Sequence, residues 1–216
     1  AGIGAAATKL RAARRAGAKT LTSAVNRALE ALDLPPTFAI DLAPRPGAEG
    51  DPKVESAACA VDRSGGEEVA FMFAPNAGEP AGSIAKIASG GELSRVSLAL
   101  EEALSDASES RTLVFDEIDA GLGGRAGESL GKSLRRIAQQ HQVLCVTHLP
   151  QVAAQADEHL HVSKREHGGR TITEVRRLDD AARVVELAAM LAGEGAGSGA
   201  QAAAEELLAN ARHSKR

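Results

Sequence analysis

The sequence predicts an α/β fold, a partial parallel sheet with flanking helices, preceded by one long helix. Two short apolar runs, Leu113-Val114-Phe115 and Val143-Leu144-Cys145-Val146, each end in polar residues and are separated by a helical pattern over 125–140. Strand, helix and strand in that order form the crossover unit of a parallel sheet. Residues 5–32 are rich in Ala, Arg and Leu and free of proline. Within them Leu21, Val25, Leu29 and Leu32 fall at helical spacing, which predicts the leading helix.

A chain of 216 residues is long enough for one or two domains with a real core. With 44% hydrophobic but only 2% aromatic residues, that core must be built from Ala, Leu and Val. The net charge of −4, from 25 basic and 29 acidic residues, gives no global field that attracts nucleic acid. Cys59 and Cys145 lie far apart in strand-like runs, as expected of buried free thiols in a reducing cytoplasm. No apolar run approaches the roughly 18 residues of a membrane span. The first residues already read as helix, as expected of a piece of a longer protein.

Pro35-Pro36 ends the leading helix. Arg11, Arg14 and Arg15 share one of its faces, either a solvated face or a contact for phosphates. Residues 38–42 alternate as a strand, and 43–52 form a Pro/Gly loop. Residues 57–61 and 69–73 are expected to pair around the Ser64-Gly65-Gly66 turn. After an irregular stretch, Leu93, Val96, Leu100 and Leu104 mark the stripe of a second helix. Beyond the parallel unit, Pro150 opens a short helix, and residues 159–164 and 171–176 form a hairpin. Helices over 179–191 and 200–211 close the chain.

Three segments carry candidate chemistry. Asp116 and Glu117 end a strand that is expected to be buried on both faces, where carboxylates are costly unless they face a metal, a ligand or water. An apolar strand ending in Asp-Glu is the Walker B arrangement, in which the Asp holds Mg²⁺ and the next carboxylate polarises a water. Alone, the same residues also fit a strand followed by an acidic helix cap. Ser89 with Glu92 three residues later matches a capping box, and Gly90 and Gly91 lie directly inside it. Two glycines there cost backbone entropy without packing anything, unless bare N–H groups must approach an anion at a helix N-terminus. Thr147-His148 ends the second strand, and a crossover brings both strand ends to one edge. By itself such a histidine is more often structural.

Two features are set aside. Residues 126–133 read Ala-Gly-Glu-Ser-Leu-Gly-Lys-Ser and match a relaxed phosphate-loop pattern. A phosphate loop needs a strand before it, and the preceding Gly121-Leu122-Gly123-Gly124 cannot be one. Ala126, Leu130, Leu134 and Ile137 mark one face of a helix instead. His159, His161 and His167 lack an accompanying Cys or carboxylate set, so no metal site is expected of them.

Together the segments resemble the C-terminal half of the head of SMC-like ABC ATPases, the class that includes bacterial DNA-repair proteins. The resemblance rests on residues 73–80 (Phe-Ala-Pro-Asn-Ala-Gly-Glu-Pro), on Ser89-Gly90-Gly91-Glu92-Leu93-Ser94-Arg95, on Phe115-Asp116-Glu117-Ile118-Asp119 and on Thr147 to Ala153. It implies an ATPase using ATP and Mg²⁺, with Asp116 as the metal ligand, Glu117 as general base and His148 on the γ-phosphate. Ser89, Gly90, Gly91 and Glu92 would bind ATP held by an opposing head, giving an ATP-sandwiched homodimer. Gly121, Leu122 and Gly123 would be the D-loop, where Gly123 stands in place of the family's Asp. Residues 5–33 would be the end of an antiparallel coiled coil and 34–216 the head. A Walker A segment would come from an N-terminal half, without which the chain is inactive. DNA as a partner, double-strand break repair, cytoplasmic location at the nucleoid and no membrane contact follow from the same resemblance. The competing classes are a non-catalytic docking module, against which Glu117 and His148 argue, and a transporter subunit, which has no long coiled coil before this lobe.

Overall fold

The computed structural model describes the chain except residues 1, 56, 77, 87–89, 106–108, 168–169 and 214–216, and the side chain of residue 167. Two compact units divide it, Ala1–Ala107 and Ser108–Arg216.

In the first unit α1 spans Gly2–Ala31. It stops where Asp33 takes a left-handed conformation (φ 58°) and the Leu34 amide reaches back to the Leu29 carbonyl at 2.9 Å. That is a Schellman-type close, with Asp in the place glycine usually fills. The Asn26 side chain then pins the next segment, accepting from the Phe38 amide (2.9 Å) and donating to its carbonyl (3.0 Å). Strand β1 (Ala39–Pro44) follows. The small strands β2 (Lys53–Val54) and β3 (Ala57–Ala58) pair with each other. Strand β4 (Glu67–Phe73) pairs antiparallel with β1 over six residues and with β5 (Gly82–Ser83) at its end. Helix α2 (Gly90–Leu104) packs on α1.

The expected hairpin between 57–61 and 69–73 does not form. The Ser64-Gly65-Gly66 turn is instead closed by Asp62, which accepts from the Ser64 amide (2.7 Å) and hydroxyl (2.6 Å). Those two bonds, the hydroxyl first, hold the Asp62 carboxyl down to about 2. Residues beside Cys59 cross Gly47 so closely that a Cβ there would lie 2.4 Å from the Cys59 nitrogen. This side of the chain therefore runs to the Pro46 backbone, and β4 is left to β1.

The three arginines of α1 face acids. Arg11 pairs with Glu67 (3.1 Å) and Glu55 (3.4 Å), Arg14 with Glu67 (3.7 Å), and Arg15 with Glu55 (2.8 Å). Arg14 also donates to the Ser64 carbonyl at 2.6 Å. Glu67 is buried, so the Arg11 and Arg14 charges are neutralised inside the unit while the Arg15–Glu55 pair stays at its surface, and together they clamp the β2–β4 segment onto α1. The phosphate-contacting reading of this face is thereby corrected. Helix α2 departs from its expected stripe as well. Its buried residues are Gly91, Arg95, Val96, Leu98 and Ala99, while Leu93 and Leu104 are exposed.

In the second unit β6 (Thr112–Phe115) and β7 (Gln142–Cys145) pair in parallel, Phe115 opposite Cys145, with α3 (Gly124–Ile137) between them in sequence. Only one face is covered. Phe115 is buried and Leu113, Val143 and Cys145 are half-buried, whereas Val114, Leu144 and Val146 stand exposed on the other side. Burial on both faces, as the sequence suggested, is not reached within this chain. The alternation is real because successive side chains of a strand point to opposite faces.

Helix α4 (Pro150–Gln155) has proline at its first turn and lies against α3. The glycines of the phosphate-loop look-alike make that approach possible. A Cβ at Gly131 would meet the Gln155 Cγ at 2.8 Å and the Gln151 carbonyl oxygen at 3.1 Å, and one at Gly127 would touch Leu149 at 3.0 Å. Lys132 pairs one turn back with Glu128 at 2.6 Å, and Ser133 is buried in the helix. These residues are therefore a helix-packing surface, as expected.

The antiparallel hairpin β8 (Leu160–His167) and β9 (Arg170–Arg177) follows. It leaves Leu160, Val162 and Val175 exposed on one face. Helices α5 (Asp180–Ala192) and α6 (Ser198–His213) complete the unit, with Asp179 capping α5 through the Ala182 amide. Leu187, Ala188, Ala204, Leu208 and Ala211 form their core with Ala153 and Ala154 of α4. Arg183 of α5 closes the end of α4, donating to the carbonyls of Ala156 (2.8 Å) and Ala153 (3.3 Å).

Two stability measurements check this packing. Alanine is ordinarily better than glycine in a helix by about 1 kcal/mol. Gly131→Ala is nevertheless expected to destabilise by about 1–3 kcal/mol in urea unfolding, because the added methyl overpacks against α4 backbone. Glu67→Gln is expected to cost about 2–4 kcal/mol, since it leaves two arginine charges facing an uncharged partner. A change under about 0.5 kcal/mol in either variant contradicts the corresponding contact.

Candidate active site

The parallel register of β6 and β7 delivers two loops to one edge of the sheet. The Val146 amide still donates to the Phe115 carbonyl at 3.0 Å, so the strands separate together. Asp116, Glu117 and Asp119 leave from β6, and Thr147 and His148 from β7. Carboxyl ends of parallel strands are where open α/β sheets place ligands.

Asp116 and Glu117 are both exposed. The Glu117 amide donates to Asp116 Oδ1 at 2.9 Å, and Glu117 itself is left-handed, with φ 55°. That conformation costs a non-glycine residue about 1–2 kcal/mol. It is over-determined here by the turn that follows, where the Ala120 amide donates to the Glu117 carbonyl (3.0 Å) and the Leu122 amide to that of Asp119 (3.0 Å). Among the described residues no three His, Cys, Asp or Glu side chains gather as a metal cage. An exposed carboxylate suits Mg²⁺, which keeps several waters and takes one or two protein carboxylates plus phosphate oxygens. Asp116 could hold one.

Asp119 was not singled out from sequence, yet it organises the edge. Its residue surface is only 3% exposed. Its Oδ2 accepts from the Thr147 hydroxyl and from the His148 amide (2.9 Å), and His148 Nδ1 lies 3.1 Å from the same oxygen. Thr147 Oγ1 in turn accepts from the Leu149 amide at 3.0 Å, fixing the entry to α4. The His148 side chain remains 69% exposed. The apolar-strand-then-acids pattern was visible, but nothing in residue type separates Asp119 from its neighbours until the β7 turn folds onto it.

Asp119 and Asp116 also act on Cys145. Burial first, then these two negative charges, push its thiol up to about 12. Gly121, Gly123 and Gly124 are exposed and Leu122 is half-buried, with left-handed Gly121 (φ 75°) and Gly124 (φ 50°). Gly123 is extended and caps α3 without a side-chain bond, so no carboxylate stands where the resemblance expects the D-loop Asp.

In the first unit Gly90 opens α2 and is exposed, Gly91 is buried and Glu92 lies in the first turn. Ser89 falls outside the described residues. His159 is half-buried with its pKa lowered, chiefly by desolvation and then by Arg183, and His161 lies 3.6 Å from Glu186. They pack the hairpin base against α5, the structural role expected of them.

No family model matches the chain. It is 44% identical over 213 residues, 97% of its length, to the DNA repair protein RecN of Streptomyces coelicolor. To the DNA repair protein RecN of Mycobacterium leprae it is 44% identical over 218 residues, again covering 97% of the chain. It spans 37% of the length of each of these relatives. Among solved structures, the Smc head domain with a coiled coil and joint from Pyrococcus yayanosii superposes with a TM-score of 0.51 at 22% identity. That match covers 78% of this chain and 28% of the other.

The fold is therefore that of part of an Smc-type head domain, with the carboxyl edge of its parallel strands carrying the acids and the histidine. Within that class the chain belongs to the RecN family, of which it represents the C-terminal part of the head.

At pH 8 a thiol of this pKa is ionised in only roughly one molecule in ten thousand. Cys145 is accordingly expected to resist iodoacetamide in the folded chain and to react once urea unfolds it, as mass spectrometry of the peptide would show. Alkylation at the rate of an exposed cysteine in the folded chain contradicts the burial of the Cys145 thiol near these acids.

Proposed function

We propose that this chain is the C-terminal part of an ATPase head that hydrolyses ATP when joined by an N-terminal part bearing the phosphate-binding loop. The observation that carries the reading is the shared edge, where Asp116, Glu117 and His148 leave two paired parallel strands. Mg²⁺, when bound, neutralises phosphate charge there. Asp116 would hold it, Glu117 would take a proton from the attacking water, and His148 would contact the γ-phosphate. Ser89, Gly90, Gly91 and Glu92 would meet the nucleotide of a second head, so ATP joins two copies and hydrolysis releases them. Gly121, Leu122 and Gly123 would line that contact with main-chain groups alone.

Several features support an N-terminal complement. All-parallel sheets occur almost only with both faces covered, and here Val114, Leu144 and Val146 are bare. The apolar side of the β8–β9 hairpin is bare as well. The sole phosphate-loop look-alike is a packed helix. Residues 5–33 would continue a coiled coil and 34–216 form the head. From the relatives' name we take DNA repair, with DNA as the partner of the assembled protein at the nucleoid of the cytoplasm. With Arg11, Arg14 and Arg15 paired to Glu55 and Glu67, that DNA would be met elsewhere. No described helix is long and apolar enough to cross a membrane.

Mixing the chain with the N-terminal part of a RecN protein is expected to restore Mg²⁺-dependent phosphate release. In that complex Glu117→Gln should lower turnover at least ~10²-fold, the scale of a lost general base, while ATP-bound dimers persist in gel filtration. Lys132→Ala should leave turnover unchanged. Undiminished hydrolysis in Glu117→Gln removes the general-base role, and a loss in Lys132→Ala revives the rejected phosphate loop.

A further inference from the structure

A buried carboxylate is costly unless its hydrogen bonds are supplied by the protein. Those of Asp119 come from Thr147 and His148, just beyond β7. These two donors, the Thr147 hydroxyl and the His148 amide, would suffice to staple the two strand ends together. The imidazole, whose Nδ1 lies 3.1 Å from the same oxygen, needs a further account. His148 has 69% of its side chain in solvent, where an unrestrained ring would sample several rotamers and both neutral tautomers. A carboxylate oxygen at 3.1 Å repels a bare ring nitrogen and attracts a protonated one, so the proximity favours a proton on Nδ1 and leaves Nε2 as the opposite end of the ring. Which nitrogen of a histidine is available to a ligand is set by the bond that the other one makes.

We infer that Asp119 is a positioning residue for His148: it holds the imidazole in one rotamer as the Nδ1–H form, so that Nε2 is the atom presented at the carboxyl edge of the sheet. The role rests on the ATPase reading above, in which Nε2 faces the phosphate or its attacking water. The carboxylate hangs from the same turn as left-handed Glu117, whose carbonyl accepts from the Ala120 amide. Glu117 and the His148 ring are thus aligned by one short segment. The carboxylate itself does not touch a ligand in this scheme, because it is buried behind the ring and the Thr147 hydroxyl.

The test has two readouts. Long-range ¹H–¹⁵N correlation spectra of the 216-residue chain report the His148 tautomer without any nucleotide. Nδ1 is expected to be the protonated nitrogen, and Asp119→Asn is expected to return the ring to a mixture. In the complemented head Asp119→Asn should lower kcat by roughly 10–100-fold, the range typical of losing a histidine's outer partner, with KM for ATP changed less than about threefold. A wild-type His148 that is mainly Nε2–H overturns the inference even if the variant fails to fold. So does an Asp119→Asn protein that folds and keeps kcat within about twofold of wild type. Should the wild-type complex hydrolyse nothing, the ATPase reading fails, while the spectrum still decides whether Asp119 sets the ring.

Discussion

The second unit depends on one buried carboxylate. Parallel pairing alone brings two strand ends to a common edge, but the loops beyond them would diverge without a tether. Asp119 supplies it through bonds to Thr147 and His148, just beyond β7. Charge-assisted bonds of this kind are roughly twice as strong as neutral ones. Shared between a hydroxyl and an amide, with a ring nitrogen 3.1 Å away, they offset the desolvation of one carboxylate. What results is a rim whose chemistry, acids from one strand and an imidazole from the other, is held by backbone register and one side chain rather than by a large core.

That core is small for a physical reason. A two-stranded parallel sheet with one naked face is an unusual end state, since β-structure of this size needs packing on both sides to be stable. The bare apolar face of Val114, Leu144 and Val146 lies directly behind the rim. In the proposed assembly the face is covered and the edge completed by the same complement. Burial of that face and assembly of the site would then be coupled. The first unit is better closed: its helices pack together and its arginine charges are absorbed by Glu55 and Glu67.

Much of this was legible from residue order. Strands β6 and β7, their parallel pairing and the helix between them follow from apolar runs bounded by polar ends. The phosphate-loop pattern at 126–133 was correctly refused on local grounds, and the structure adds what its glycines do, which is admit α4. Four things were hidden. The one-sided burial of β6 was invisible because Leu-Val-Phe reads the same whether one face is covered or both. The pairing of β4 with β1 rather than with 57–61 was decided by the close crossing at Gly47, a tertiary contact without a local signature. Arg11, Arg14 and Arg15 read as a solvated or phosphate-facing stripe because their acidic partners lie 40 or more positions away. Asp119 belongs with these: its role is created by a residue 29 positions on.

The claim on which everything converges is that bound nucleotide sits at the carboxyl edge of β6 and β7. Mn²⁺ in place of Mg²⁺, added with ATP to the ¹⁵N-labelled chain complexed with its N-terminal complement, locates the metal directly by paramagnetic broadening. Amide signals of Asp116, Glu117 and His148 should vanish first, while those of α3 around Lys132 persist. Broadening centred on Lys132, or none at the β6–β7 edge, would contradict the account.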